Sequence, residues 1–301
     1  MSDTNYLPDV LETTTAECLA SGFTFTEGPL WHPDGFYYFV DLRANKLYRI
    51  TPGHKPELVR ETQEGNGTTF DLEGRLIHCE GGGRRVTRLH ADGKVEPVAE
   101  RYMGGRFSRP NDVVCHSSGA LYFTDPDKRV AYTKREIPPA EGVNNLWDGA
   151  AVYRVTSDGT VSMVANCEYP NGLAFSPDER TLYVANTRSS KYIHELELDA
   201  AGGLLRRRIF ADMNEGDEPG IPDGLKVDSA GRVYCTGPGG IWVFTPDGAR
   251  VGIIKFPEQS VNFAFGGDDL RTLFCCAHTS VYTLRVKVPG QPHPWYKLRK
   301  R

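Results

Sequence analysis

The sequence predicts an all-β fold, a six-bladed β-propeller, and three observations carry this prediction. A pattern of a polar residue, a short apolar run, a turn rich in Asp, Gly or Pro and a second strand occurs six times in the 301 residues. Successive copies begin roughly 40 to 60 residues apart, which is the spacing of propeller repeats. No long helical periodicity interrupts them, and radial repetition leaves only short, protected strand edges.

Each copy opens with a predicted hairpin. The six copies begin at Glu27, Asn66, Asn111, Asn171, Asp223 and Val261. Turns such as Asp34-Gly35 supply the backbone angles that a tight hairpin needs. A third strand follows, for example from Lys46, and a short apolar stretch such as Val161 to Val164 adds a fourth. The pattern therefore predicts four strands in each blade.

The repeats extend along the whole chain and indicate one domain, residues 1–301. We expect the segment before Glu27 to supply a strand that closes the ring against the last blade. A sandwich of two sheets is the alternative, although sandwiches do not repeat hairpin signals at so long a period.

Composition limits the partners and the location of the protein. With 39% hydrophobic and 25% charged residues the chain has the composition of an ordinary globular protein. Its net charge of −4 provides no positive electrostatic field that would hold a polyanion such as nucleic acid. No window approaches the roughly 18 apolar residues of a membrane span, and the first ten residues lack an export signal. We therefore expect a cytoplasmic protein without nucleic-acid or membrane partners, and its oligomeric state stays open.

Two further groups of residues receive structural interpretations. The seven cysteines include no C-x-x-C pair, and Cys79, Cys115 and Cys235 fall within predicted strands, where a buried thiol behaves as a small hydrophobe. The basic residues at the end of the chain follow a proline-rich stretch and are expected to form a solvated terminus. They are Lys297, Arg299, Lys300 and Arg301.

The residues that open the six copies are the candidate site. In a propeller the first strand of every blade lines the central tunnel, so these residues should face each other at one mouth. Asn and Asp beside Gly also form turns, which offers a purely structural explanation, but Glu27 is a poor turn residue in the same register. Two carboxylates brought close together repel and need either a shared proton or a cation.

A divalent cation is the simpler solution, and the donor chemistry restricts its identity. Oxygen ligands from Asp, Glu and Asn suit a hard ion, so Ca²⁺ is favoured, while Mg²⁺, Mn²⁺, Zn²⁺ and Fe²⁺ stay open. Other catalytic motifs are missing from the sequence. It contains no H-E-x-x-H or G-x-S-x-G, and the run Gly81 to Gly83 lacks the Lys-Ser/Thr of a phosphate loop.

Six motifs give the chain a family resemblance. They are FTEGPLWHPDG, CEGGGRRVTRL, RPNDVVCHSSGALYFTDP, YPNGLAFSPDERTLYVANT, IPDGLKVDSAGRVYCTGPGGIWVFTPDG and FAFGGDDLRTLF. In these residues, over nearly its whole length, the chain resembles the SMP-30/gluconolactonase/luciferin-regenerating-enzyme family. The resemblance implies a six-bladed propeller with a divalent cation at the tunnel mouth, held here by Glu27, Asn171 and Asp223.

The same resemblance implies substrate-binding residues. Asn111 matches a residue that contacts substrate and in some relatives approaches the metal, and Arg109 matches an arginine that binds substrate hydroxyls. Asp125 matches an acid near the site, with a structural role at the strand end as the alternative. The glycines at 81 to 83 and the pair Asp127-Lys128 depart from the pattern of bacterial gluconolactonases, so the substrate stays open.

The resemblance predicts hydrolysis of a sugar lactone or a related small lactone, with Asp223 as general base. A phosphotriesterase of the diisopropylfluorophosphatase kind is the alternative enzyme. A propeller without catalysis, acting as a calcium-binding protein or a scaffold, is the alternative from another class. The long insertion from Pro126 to Gly149 is expected to be either a lid over the pocket or a decoration.

Overall fold

The computed structural model describes residues 5–126, 150–188 and 190–299. In this part of the chain six antiparallel sheets contain four strands each, and a small hairpin lies between the second and third sheets. Within each of the first five sheets the strands follow one another in chain order, from the innermost strand at the tunnel to the outermost, and the predicted Gly- or Asp-containing turns join the first strand to the second. The predicted six-bladed propeller is confirmed.

The strands are distributed over the blades as follows. The N-terminal strand is β1 (Glu17–Ser21). Blade 1 contains β2 (Thr26–His32), β3 (Phe36–Asp41), β4 (Lys46–Ile50) and β5 (Glu57–Glu61). Blade 2 contains β6 (Gly65–Phe70), β7 (Leu76–Glu80), β8 (Arg85–Leu89) and β9 (Val95–Ala99), and the small hairpin is β10 (Arg101–Tyr102) and β11 (Gly105–Arg106). Blade 3 contains β12 (Val113–Cys115), β13 (Leu121–Asp125), β14 (Ala151–Val155) and β15 (Val161–Asn166).

The remaining blades repeat this order. Blade 4 contains β16 (Pro170–Phe175), β17 (Thr181–Asn186), β18 (Tyr192–Leu198) and β19 (Leu204–Asp212). Blade 5 contains β20 (Leu225–Val227), β21 (Val233–Gly237), β22 (Gly240–Phe244) and β23 (Arg250–Ile254). Blade 6 contains β24 (Asn262–Gly266), β25 (Thr272–Ala277) and β26 (Ser280–Arg285).

Blade 6 joins the two ends of the chain. Its fourth, outermost strand is β1, which pairs antiparallel with β26 through Glu17↔Thr283 and Ser21↔Ser280. The predicted closing strand is therefore confirmed. Across the seam, the ring of Tyr37 from blade 1 stacks on Phe274 from blade 6 with their centroids 4.2 Å apart.

The inner strands of neighbouring blades lie in direct contact around the tunnel. The residue after each opening residue is usually glycine, because a side chain there would collide with the next blade. A Cβ atom at Gly172 would lie 2.1 Å from the backbone oxygen of Asp223. The glycine N–H instead donates a hydrogen bond to that oxygen at 2.9 Å. This close approach sets the opening residues of adjacent blades side by side.

Apolar side chains fill the spaces between the blades. The buried clusters extend from one sheet to the next, and Cys79, Cys115 and Cys235 lie fully or almost fully buried in them, as predicted. Propellers are stabilised chiefly by this burial of apolar surface between neighbouring sheets.

The end of the chain packs on the mouth of the tunnel opposite the opening residues, but the basic residues Lys297 and Arg299 are themselves exposed, as predicted for the terminus. The short helix α1 (Pro294–Arg299) lies there. Trp295 packs on Phe70 at 4.7 Å between ring centroids, and Arg299 binds Asp34 at 2.8 Å. Residues 300 and 301 lie outside the described residues. No helix in the described ranges has the length and apolar character needed to cross a bilayer.

Candidate metal and substrate site

Backbone hydrogen bonds between blades arrange the opening residues as a ring. Gly67 N donates to the backbone oxygen of Asn111 at 2.7 Å, and Gly224 N donates to that of Val261 at 3.1 Å. Together with the bond from Gly172 to Asp223, these contacts hold the starts of the inner strands at one level. The structure therefore brings the predicted site residues to the same mouth of the tunnel.

Glu27 is the buried carboxylate of this ring. Only 2% of its surface is exposed, and its Oε2 accepts hydrogen bonds from Gly28 N at 2.6 Å and from Asn262 Nδ2 at 2.9 Å. Burial, followed by the negative charge of Asp112, raises the pKa of Glu27 to about 7. An ionised carboxylate in this position is costly unless a positive charge lies nearby, and both hydrogen bonds end on Oε2, so Oε1 is the oxygen that fits a cation.

Asn171 is oriented by a neighbouring hydroxyl. Thr187 Oγ1 donates its single proton to the backbone oxygen of Pro222 at 2.7 Å, so it must accept from Asn171 Nδ2 at 3.1 Å. This arrangement determines which end of the amide is oxygen. Asn171 Oδ1 is buried and accepts no hydrogen bond from any residue that the structure describes. Buried acceptors rarely lack a partner, and this oxygen has the properties of a metal ligand.

Asp223 is tied to both neighbouring strands through its backbone. Its oxygen accepts from Gly172 in blade 4, and its N–H donates to Thr236 Oγ1 at 3.2 Å in its own blade. A group of three or more His, Cys, Asp or Glu side chains able to hold a metal does not occur in the described ranges. The candidate set is instead two carboxylates and one amide. This set of oxygen donors fits a hard divalent cation.

The carboxylate of Asp125 fixes the backbone of residues 108 and 109. Its carboxylate is 3% exposed and accepts hydrogen bonds from Ser108 N at 2.8 Å and Arg109 N at 2.6 Å. Asp41 does the same in blade 1, where it accepts from Thr24 N at 2.8 Å. Because the role recurs in a second blade, the strand-end alternative has direct structural support. Contact between Asp125 and substrate stays a prediction.

Arg109 lies at the mouth between blades 2 and 3. Its Nη2 binds Glu64 Oε2, a partner that the sequence analysis did not identify. Its Nε is buried without a hydrogen-bond partner in the described part of the chain. A Cβ atom at Gly81 would lie 3.5 Å from this Nε, so the glycine leaves space beside the guanidinium group. Asn111 is buried next to it, fixed by its N–H to Thr124 O at 2.8 Å.

Sequence reasoning missed the residues that support the ring from below. Asp112 and Asn262 occupy the position that is glycine in the other four blades, at Gly28, Gly67, Gly172 and Gly224. That departure from glycine was the available signal. The predicted lid from Pro126 to Gly149 cannot be compared in this way, because residues 127–149 lie outside the described residues.

The fold and the donor set together define a propeller with an oxygen-lined tunnel mouth. The chain belongs to the family described as SMP-30/gluconolactonase/LRE-like, whose model matches residues 25–279. A gluconolactonase from Zymomonas mobilis is 32% identical over 300 residues, covering 92% of this chain and 83% of the relative. A pentonolactonase from Haloferax volcanii is 29% identical and covers 82% of this chain and 79% of its own. The solved structure of a Xanthomonas campestris gluconolactonase has a TM-score of 0.84 at 31% identity, covering 94% of this chain and 93% of that one.

Proposed function

We propose that the protein is a lactonase that opens a sugar lactone or a related small lactone to its hydroxy acid, using a divalent cation held by Glu27, Asn171 and Asp223. The observation that carries this proposal is the oriented oxygen Asn171 Oδ1, buried without a hydrogen-bond partner among the described residues at the level of Glu27 and Asp223. The relatives support the reaction class, because those named above are gluconolactonases and a pentonolactonase.

The chemistry divides between the cation and the chain. A divalent cation at this position, with Ca²⁺ favoured, would draw charge from the lactone carbonyl and acidify a neighbouring water. Asp223 accepts the proton of the attacking water as its oxygen adds to the carbonyl carbon. When the ring C–O bond breaks, the departing alkoxide takes that proton and becomes the hydroxyl group of the product.

The other residues orient the reactants. Arg109 offers a planar fork of donors to adjacent substrate hydroxyls, and Asn111 adds an amide at the same mouth. Glu27 and Asn171 hold their oxygens towards the cation. Thr187 and Asn262 keep those two side chains in place through the hydrogen bonds described above, in the manner of outer residues around other metal sites.

One assay tests this proposal. Protein stripped of metal is supplied with single cations and given a panel of aldonolactones, aromatic lactones and a fluorophosphate, and acid release is followed. Cation-dependent hydrolysis of sugar lactones is expected. Hydrolysis of the fluorophosphate alone would identify a phosphotriesterase, and cation binding without any hydrolysis would identify a propeller that does not catalyse.

A further inference from the structure

The side chain of Lys226 lines the tunnel below the ring of opening residues. Lys226 in β20 stands three positions after the opening residue of its blade. At the same position the other inner strands carry Leu30, Thr69, Val114, Ala174 and Ala264. All six line a single cavity of about 140 Å³ inside the tunnel. Because five blades fill this level with uncharged side chains, packing alone does not explain a lysine.

The ammonium group of Lys226 lies among buried oxygens. Its Nζ donates to the backbone oxygen of Leu225 at 3.0 Å and lies 3.5 Å from Asn262 Oδ1. It also lies 3.7 Å from Asp112 Oδ2. The side chain of Asp112 is 5% exposed, and its Oδ2 accepts no hydrogen bond from the described residues. Lys226 is therefore the positive charge that pairs with the buried Asp112.

Asn262 connects this ion pair to the candidate cation site. Its Oδ1 accepts from Phe263 N at 2.8 Å and faces Lys226, which leaves Nδ2 to donate to Glu27 Oε2 at 2.9 Å. Three contacts thus determine the orientation of one amide. Lys226, Asn262 and Glu27 form a continuous polar path from the interior of the tunnel to its mouth, with Asp112 beside it.

We infer that Lys226 is a positioning residue of the cation site, whose charge neutralises Asp112 and lowers the affinity of the site for a divalent cation. Two positive charges in one tunnel repel, so the ammonium group below the site opposes the entry of a cation above it. The negative charge of Asp112 has the opposite effect and raises the affinity of the site for a divalent cation. This inference rests on the proposed cation site and concerns how tightly that site binds.

The test is a calcium titration by calorimetry on stripped protein without substrate. Lys226→Met removes the charge at nearly constant length and is expected to raise Ca²⁺ affinity by about tenfold or more. Asp112→Asn is expected to lower it by a similar factor, and the double variant should return close to the wild-type value. Lys226→Arg retains the charge and should bind like wild type. Lys55→Met, which removes the same charge from an exposed turn, controls for net charge.

The outcomes separate this inference from the proposed function. Wild-type protein that binds no cation would refute the site itself. Wild-type binding combined with unchanged or weaker binding by Lys226→Met would refute only the role of Lys226, and the lysine would then merely orient Asn262. If Lys226→Met does not fold, the comparison of Asp112→Asn with the double variant replaces it. The double variant must then bind Ca²⁺ more tightly than Asp112→Asn does, and equal Ca²⁺ affinity in these two variants would overturn the inference.

Discussion

The two mouths of the tunnel are built from the same six inner strands and differ in almost every other respect. The side chains of Glu27 and Asn171 are buried at the starts of these strands, and apolar packing does not account for their oxygen atoms. At the far mouth, His293 and Tyr296 line the tunnel cavity, and the Tyr296 hydroxyl binds the backbone oxygen of Trp31. We therefore expect the mouth at the starts of the inner strands to serve the proposed chemistry and the far mouth to serve stability.

The largest expected effect is that of removing the cation, which acts on the polar mouth alone. Chelation should abolish lactone hydrolysis, because the proposed reaction needs a cation held by Glu27, Asn171 and Asp223, and two carboxylates brought close together without a cation repel. The rate of acid release is measured before stripping, after stripping and after addition of Ca²⁺, with metal content checked by elemental analysis. Stripped protein that hydrolyses lactones at its original rate would contradict the metal site.

The proposed base is tested next. Asp223→Asn retains an oxygen ligand but cannot accept a proton, so turnover should fall by about 10²-fold or more, the usual scale of general acid–base catalysis. The measurement is made at saturating cation with occupancy determined directly. Glu27→Gln is the matched control, because it removes one charge from the same site without removing the base. Equal, modest losses in both fully loaded variants would make Asp223 a ligand only.

The third prediction concerns the Thr187 hydroxyl, which orients the amide of Asn171. Thr187→Val releases the amide of Asn171, so Ca²⁺ affinity should fall by about tenfold or more, as it does when outer residues of metal sites are removed. Thr69→Val makes the same chemical change inside the tunnel, where Thr69 Oγ1 contacts His293 Nε2 at 3.2 Å. Calorimetry should find Ca²⁺ affinity unchanged there. Similar losses in both variants would mean that Thr187 acts on folding and not on Asn171.

The far mouth is expected to affect stability without affecting chemistry. Trp295→Ala removes a ring that packs on Phe70 and His32, and we expect a loss of about 2 kcal/mol in the free energy of unfolding. Chemical denaturation in the presence of Ca²⁺ measures this loss. The kcat of the folded variant should match that of wild type. A large fall in kcat with unchanged stability would show that the two mouths are coupled.

Much of the polar mouth could be predicted from the sequence because its residues recur in one register. Glu27, Asn171 and Asp223 each stand at the start of a local repeat, and a repeat is visible without knowledge of contacts. The supporting contacts join distant blades, as between Asn262 and Glu27, and local patterns carry little information about them. Helix α1 was missed for a related reason. Its six residues are too few for a periodic signal, and its partners lie in blades 1 and 2.

The smallest expected effect is a dependence of stability on pH at the far mouth. His293 Nδ1 accepts from Trp295 N at 3.1 Å while Nε2 faces Thr69, and burial lowers the pKa of His293 to about 3. Below the pKa of an unfolded histidine, about 6.5, the unfolded chain binds a proton that the folded protein does not. The contribution of neutral His293 is therefore complete above pH 6.5 and is lost as the pH falls towards 3.

This loss is measurable by comparison with a variant that cannot titrate. His293→Asn keeps an acceptor for Trp295 N, and the difference in unfolding free energy between wild type and variant should shrink by up to about 1.4 kcal/mol per pH unit below pH 6.5. Urea denaturation at intervals from pH 7.5 to 5 provides the values, with the cation held saturating. His54→Asn in an exposed turn, measured over the same pH range, is the matched control substitution. A constant difference for His293→Asn would mean that the imidazole at the far mouth titrates as it does in the unfolded chain, and this result would contradict the prediction.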